Sequence, residues 1–169
     1  MRKFRHIARF CCVAAIVCFC QAAPLQAADA ISTQWFSLEG QPVASGNTPD
    51  PQGIVRHFTA PALGVTHTTK AHSQGTVLLL PGGGYSILDV LNEGSRTAQA
   101  LNGFGYDVAM LEYDVGSGTK SREAALRDVQ AAWRLLKEKP DALGVNNARL
   151  VVMGYSAGGH LAARLVQGL

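Results

Sequence analysis

The chain has 169 residues, enough for one domain with a sizeable core, and its 47% apolar and 16% charged content is that of a globular protein. The formal net charge of +3 misleads, because Arg2, Lys3, Arg5 and Arg9 lie in the first 28 residues with no acidic partner; the remainder carries 11 basic against 12 acidic side chains. A basic nucleic-acid footprint is thereby excluded, and no internal repeat or low-complexity tract points to a solenoid.

Residues 1–28 read as a cleavable signal peptide. A basic stretch, Met1 to Arg9, leads into the apolar run Phe10 to Cys20, and small residues follow through Ala22-Ala23 and Ala27-Ala28. That run is about 11 residues, within signal range and well short of the roughly 20 that span a bilayer. Export to the periplasm or the exterior is expected, with an uncleaved anchor as the alternative. All four cysteines, Cys11, Cys12, Cys18 and Cys20, belong to this leader. The remainder can hold no disulfide, no thiolate metal site and no cysteine nucleophile.

Residues 29–52, rich in Ser, Gly, Pro, Asn and Gln, read as a flexible N-terminal extension with Trp35 or Phe36 pinned to the body. The folded domain is expected over 53–169. Short strands are predicted over Ile54–Thr59 and Leu63–Thr69, with His57 and His67 as partly solvated edge residues. Thr76–Leu80 is a continuous apolar run, as in a strand buried on both faces, and it enters Pro81-Gly82-Gly83-Gly84-Tyr85 directly. A helix should start near Asn92 or Glu93 and end at Gly103-Phe104-Gly105, followed by a strand over Tyr106–Tyr113. Ala125, Val129, Ala132, Trp133 and Leu136 recur at helical spacing over Ser121–Lys139, which makes Trp133 a core residue and leaves Pro140 as the stop. Arg149–Met153 is a last strand, with a helix from Gly158 onward. Alternating strands and helices argue for an α/β fold with a mostly parallel sheet.

Two motifs carry chemistry. Gly154-Tyr155-Ser156-Ala157-Gly158 is a G-x-S-x-G placed where an apolar strand runs into a helix. Ser156 on such a turn projects its hydroxyl into a cleft, and side chains two positions before or after it would meet neighbouring backbone. The following helix start favours developing negative charge. The second motif is the glycine loop. Acyl transfer creates an oxyanion that backbone N–H groups stabilise, and the candidates are Ala157, directly after the serine, and Gly83, with Gly82 as neighbour or co-donor. A phosphate loop fits poorly, since no Lys-Ser/Thr follows and the spacing is not G-x-G-x-x-G.

From about Thr76 to Ala163 the chain resembles the secreted esterase/lipase-type α/β-hydrolases related to bacterial acetyl-xylan and carbohydrate esterases. The resemblance rests on L-L-L-P-G-G-G-Y, L-N-G-F-G-Y-D-V-A-M-L-E-Y and V-V-M-G-Y-S-A-G-G-H-L-A-A, in that order. It implies an α/β-hydrolase fold, the oxyanion hole at Gly82, Gly83 and Ala157, and hydrolysis of short acyl esters, acetyl above all, through an acyl-enzyme on Ser156. It implies no metal and no organic cofactor, and a small-molecule or carbohydrate ester as substrate. Two departures stand out: Tyr113-Asp114 where many relatives read Tyr-Arg, and Pro81 where lipase-like relatives open the loop with His.

The triad of this fold runs Ser, then Asp or Glu, then His. After Ser156 the sequence offers no carboxylate and only His160, on the following helix and expected to pack or face solvent. His57, His67 and His72 belong to edge strands or a loop. The expectation is thus an incomplete hydrolase domain over 53–169, the N-terminal portion of the sheet ending after the elbow helix, with Asp and His supplied beyond residue 169. A prolyl-oligopeptidase-type peptidase and a non-catalytic remnant are the competing readings.

Overall fold

The computed structural model of the protein describes residues 32–116 and 119–168; the leader lies outside them. Eight strands form among the described residues: β1 Gln34–Phe36, β2 Pro42–Val43, β3 Ile54–Val55, β4 Ala62–Thr66, β5 Thr76–Leu80, β6 Leu88–Asp89, β7 Asp107–Glu112 and β8 Leu150–Gly154. The helices are α1 Arg96–Phe104, led by a π-helical turn over Leu91–Ser95, then α2 Thr119–Glu138, α3 Pro140–Leu143 and α4 Ala157–Gln167. Six strands make one sheet in the order β2-β1-β4-β7-β5-β8, while β3 and β6 pair separately.

The centre of the sheet is parallel: β5 lies between β7 and β8 and runs with both. The chain leaves β5 through α1 to reach β7 on one side, then returns through α2 and α3 to β8 on the other. Right-handed crossovers in opposite directions place α1 on one face and α2 on the other. α4 joins the second layer by packing on α2. β5 and β7 are buried at every residue, which is why Val77–Leu80 reads as unbroken Val and Leu without alternation. Leu78, Leu79, Leu80, Val108 and Leu111 fill the core between the layers.

The antiparallel end departs from the sequence reading. Residues 32–52 are not a flexible extension: β1 pairs with both β2 and β4, and the Trp35 ring covers the faces of Gly46 and Gly64, where a Cβ would sit within 3.0 Å of it. Period-2 patterning could not reveal strands of two or three residues. The strand expected over Ile54–Thr59 shortens to β3, so His57 sits outside it on an exposed loop. Pro140 ends α2 but opens the single turn α3 from its first position, a place where a missing N–H costs nothing.

One buried carboxylate ties this end to the core. Glu112, 1% exposed at the end of β7, accepts the Asn47 backbone N–H at 2.6 Å and the Asn47 side-chain amide at 2.8 Å. Asn47 in turn accepts the Thr59 N–H at 2.7 Å and donates to the Ala60 carbonyl. Burial pushes the Glu112 carboxyl up, and the two Asn47 bonds pull only partly back.

Asn47→Ala should therefore lower unfolding stability by about 1–3 kcal/mol in urea melts, because it strands a buried acceptor. A raised folded-state pKa means that the Glu112 contribution is fully present below the ordinary Glu range and lost as pH rises through the raised value. Glu112→Gln, which keeps an acceptor oxygen, should thus gain on the parent as pH rises above the ordinary Glu range; a gap that stays constant as pH rises contradicts the assignment.

Candidate active site

The reversal of strand order at β5 creates a crevice at the C-terminal ends of β5 and β8, where open α/β sheets bind ligands. Both sequence motifs end there. The pairing Leu80↔Gly154 sets the glycine loop and the serine turn side by side, and Tyr155 N–H donates to the Leu80 carbonyl at 3.0 Å. A Cβ on Gly82 would come within 3.1 Å of Ser156 Cβ, which measures how closely the two motifs approach.

Ser156 is the N-cap of α4, exposed, with φ 47 and ψ −112. A serine in that region costs of order 1–3 kcal/mol and persists only where neighbours dictate it. Those neighbours are backbone. A Cβ on Gly158 would strike the Leu80 and Pro81 carbonyls, and one on Gly154 would strike Gly158, so both glycines of G-x-S-x-G are required by close approach. The Ala157 N–H, at the first turn of α4, has no protein acceptor among the described residues.

The glycine loop is fixed by an unusual density of polar ties. The Tyr113 hydroxyl, fully buried, donates to the Pro81 carbonyl at 2.6 Å, and burial raises that phenol far above its ordinary range. The Gly82 carbonyl accepts Asp89 N–H, the Gly83 carbonyl accepts Ser86 and Ile87 N–H, and the Tyr85 carbonyl accepts Gly116 N–H. Gly83 has φ 142, and a Cβ there would run into the Ile87 carbonyl. Tyr85 is held at φ 66, its hydroxyl bonded to His160 Nδ1 at 2.5 Å.

These bonds sort the expected oxyanion donors. The Gly82 N–H is committed to Glu93 Oε2 at 2.7 Å, so Gly82 is not a free co-donor. Gly83 N–H has no protein acceptor among the described residues, as for Ala157. The tie from Glu93 could not be read in the sequence, which marked that residue only as a helix start; it sits in the π-helical turn before α1, a kind of irregularity frequent at functional sites. His160 is exposed, as expected, but engaged with Tyr85. His67 lies at the opposite end of the sheet, 3.6 Å from Asp107 at the start of β7. No histidine is hydrogen-bonded to the Ser156 hydroxyl among the described residues.

The BD-FAE family model matches residues 65–168, which takes in β5, the glycine loop, the elbow and α4. The chain belongs to the BD-FAE family. It is 32% identical over 84 residues to the acetylxylan esterase of Xylanibacter ruminicola, an alignment covering 50% of this chain and 17% of that protein. It superposes on the hyperthermophilic esterase of the archaeon Pyrobaculum calidifontis with TM-score 0.56 and 28% identity, over 64% of this chain and 34% of that one. It superposes on the propionate-bound esterase Est2 of Thermogutta terrifontis with TM-score 0.54 and 25% identity, over 62% and 40%. The fold of this BD-FAE member is that of the α/β-hydrolases, and the chain spans less than half the length of each of these relatives.

Gly158→Ala should destabilise the protein at the upper end of about 1–3 kcal/mol, since only backbone could yield. Gly103→Ala, where a Cβ meets nothing within 4 Å, should instead stabilise α1 by about 0.5–1 kcal/mol. Thermal melts of the pair separate close approach from helix propensity. Glu93→Ala should speed hydrogen exchange at the Gly82 amide about tenfold or more while amides of β5 keep their rates; unchanged exchange at Gly82 would remove Glu93 from the loop's support.

Proposed function

We propose that this BD-FAE chain carries the nucleophile and oxyanion donors of an exported carboxylesterase that hydrolyses short acyl esters, acetyl among them, of carbohydrate alcohols. One observation carries the reading: an exposed serine in a strained strand-to-helix turn, beside a braced glycine loop, with two uncommitted backbone N–H groups at Gly83 and Ala157. Propionate bound in the Thermogutta esterase and the acetylxylan esterase among the relatives support a short acyl group.

Ser156 Oγ would add to the ester carbonyl carbon while its proton passes to a base. The carbonyl oxygen takes up negative charge, and Gly83 and Ala157 N–H groups are the donors for it. Collapse breaks the bond to the alcohol oxygen, which leaves with the proton, and the acyl group stays on Ser156. Water then repeats the addition and frees the acid. The base, a histidine oriented by a carboxylate, would come from sequence following Leu169, since His160 is engaged with Tyr85 and His67 faces the far end of the sheet. Export rests on the basic-then-apolar order of residues 1–28; no helix among the described residues is long and apolar enough to cross a membrane.

In the full-length protein, Ser156→Ala should lower p-nitrophenyl acetate turnover by more than about a thousandfold, and a fluorophosphonate should label the parent at Ser156 alone. Full-length protein that neither turns over esters nor takes the label would leave a binding role and sink the esterase reading. Faster turnover of peptide than of ester substrates would move it to the peptidases.

A further inference from the structure

Between the N-terminal half of α2 and the first two turns of α4 lies a cavity of about 370 Å³ that the reaction above does not use. Its walls include Tyr85, Arg122, Glu123, Leu126, His160 and Arg164. It adjoins the catalytic end of the sheet, because Tyr85 closes the glycine loop and His160 N–H bonds the Ser156 carbonyl at 3.0 Å.

The charge distribution in this cavity is unbalanced in a specific way. The Arg122 guanidinium lies 5.5 Å from the Tyr85 ring centroid, and the fields of Arg122 and Arg164 both act on the Tyr85 hydroxyl, opposing the upward push of burial. The ion pairs among the described residues are Arg56 with Asp50 and His67 with Asp107. Among the described residues neither cavity arginine has a carboxylate within pairing distance, although Glu123 lines the same cavity. Two guanidiniums stay charged at any working pH and offer planar forks suited to a carboxylate. Glu123 can accept only from hydroxyl or N–H donors, and its own charge disfavours a dianion such as phosphate. Leu126 supplies an apolar wall. Two cationic forks, one acceptor and an apolar side match a sugar acid better than a bare anion.

We propose that this cavity is a subsite for a uronic-acid unit of the ester substrate, its carboxylate taken by Arg122 and Arg164 and its hydroxyls by Glu123 and His160. The subsite rests on the esterase reading for its purpose, but its binding can be measured without turnover. Calorimetric titration of the full-length protein with D-glucuronate, D-glucose, succinate and inorganic phosphate at low salt is the test. Glucuronate should bind at least about tenfold more tightly than glucose and more tightly than succinate or phosphate, and added salt should weaken it. Arg122→Ala and Arg164→Ala should each erase the preference over glucose. Both side chains are exposed, so the variants' circular dichroism should match the parent's, and Arg122→Lys should restore only part of the preference.

Equal binding of glucuronate and glucose, or a preference that survives both alanine variants, overturns the proposal. Succinate or phosphate binding as tightly as glucuronate overturns the sugar-acid assignment. A parent protein that shows no preference for glucuronate yet turns over p-nitrophenyl acetate defeats the subsite alone. Retained preference in a protein that takes no fluorophosphonate defeats the esterase reading alone.

Discussion

The structure depends on the close approach of β8 to the end of β5. Leu80 pairs with Gly154, Tyr155 N–H reaches the Leu80 carbonyl, and Gly158 packs flat against the Leu80 and Pro81 carbonyls. This contact is made of backbone on both sides, so it admits no side chain and little adjustment. It forces the chain to turn within one residue, and that residue is Ser156, with φ at 47. The exposed hydroxyl, the free Ala157 N–H and the adjacent glycine loop all follow from it. A serine set elsewhere on β8 or α4 would have a relaxed backbone and no crevice to face.

Strain at one residue requires rigidity around it, and the glycine loop shows where that rigidity comes from. The three glycines after Pro81 have no side chain to bury, so packing cannot fix them. Hydrogen bonds do: Tyr113 to Pro81, Glu93 to Gly82, Gly116 to Tyr85, and Tyr85 across to His160. At roughly 0.5–1.5 kcal/mol net for each neutral bond, and more for those to charged groups, such a set is comparable to the cost of the strained backbone it borders. By occupying the Gly82 N–H, Glu93 leaves the neighbouring Gly83 N–H as one without a protein acceptor among the described residues.

Legibility in the sequence tracked the physical origin of each feature. β5, β7 and α2 were readable because burial over many residues writes a pattern: a solid apolar run, a second one, and a 3.6-residue stripe through Ala125, Val129, Ala132 and Leu136. Ser156 was readable because close approach demands glycine at fixed offsets. The edge was not. Gln34–Phe36 holds its place through pairing on both sides and through Trp35 lying over Gly46 and Gly64, relations between distant residues that no local window contains. Asn47 looked like loop composition, yet it satisfies a buried carboxylate 65 residues away. The tie of the Gly82 N–H, an expected co-donor, to Glu93 was invisible for the same reason.

Burial is unevenly spread across the strands that position the serine. β5 and β7 are buried throughout, whereas β8 is half-buried, with Val151 41% exposed. Ser156 takes its backbone geometry from the contact with β5 and the loop that follows it. Substitutions that disturb β5, Tyr113 or Glu93 should reach Ser156 geometry more directly than equally large changes on the outer face of β8, because only the former act on the backbone contact that imposes the turn. The sheet's buried centre thus serves as the reference frame for the site, and the elbow is an extension of β5 as much as of β8.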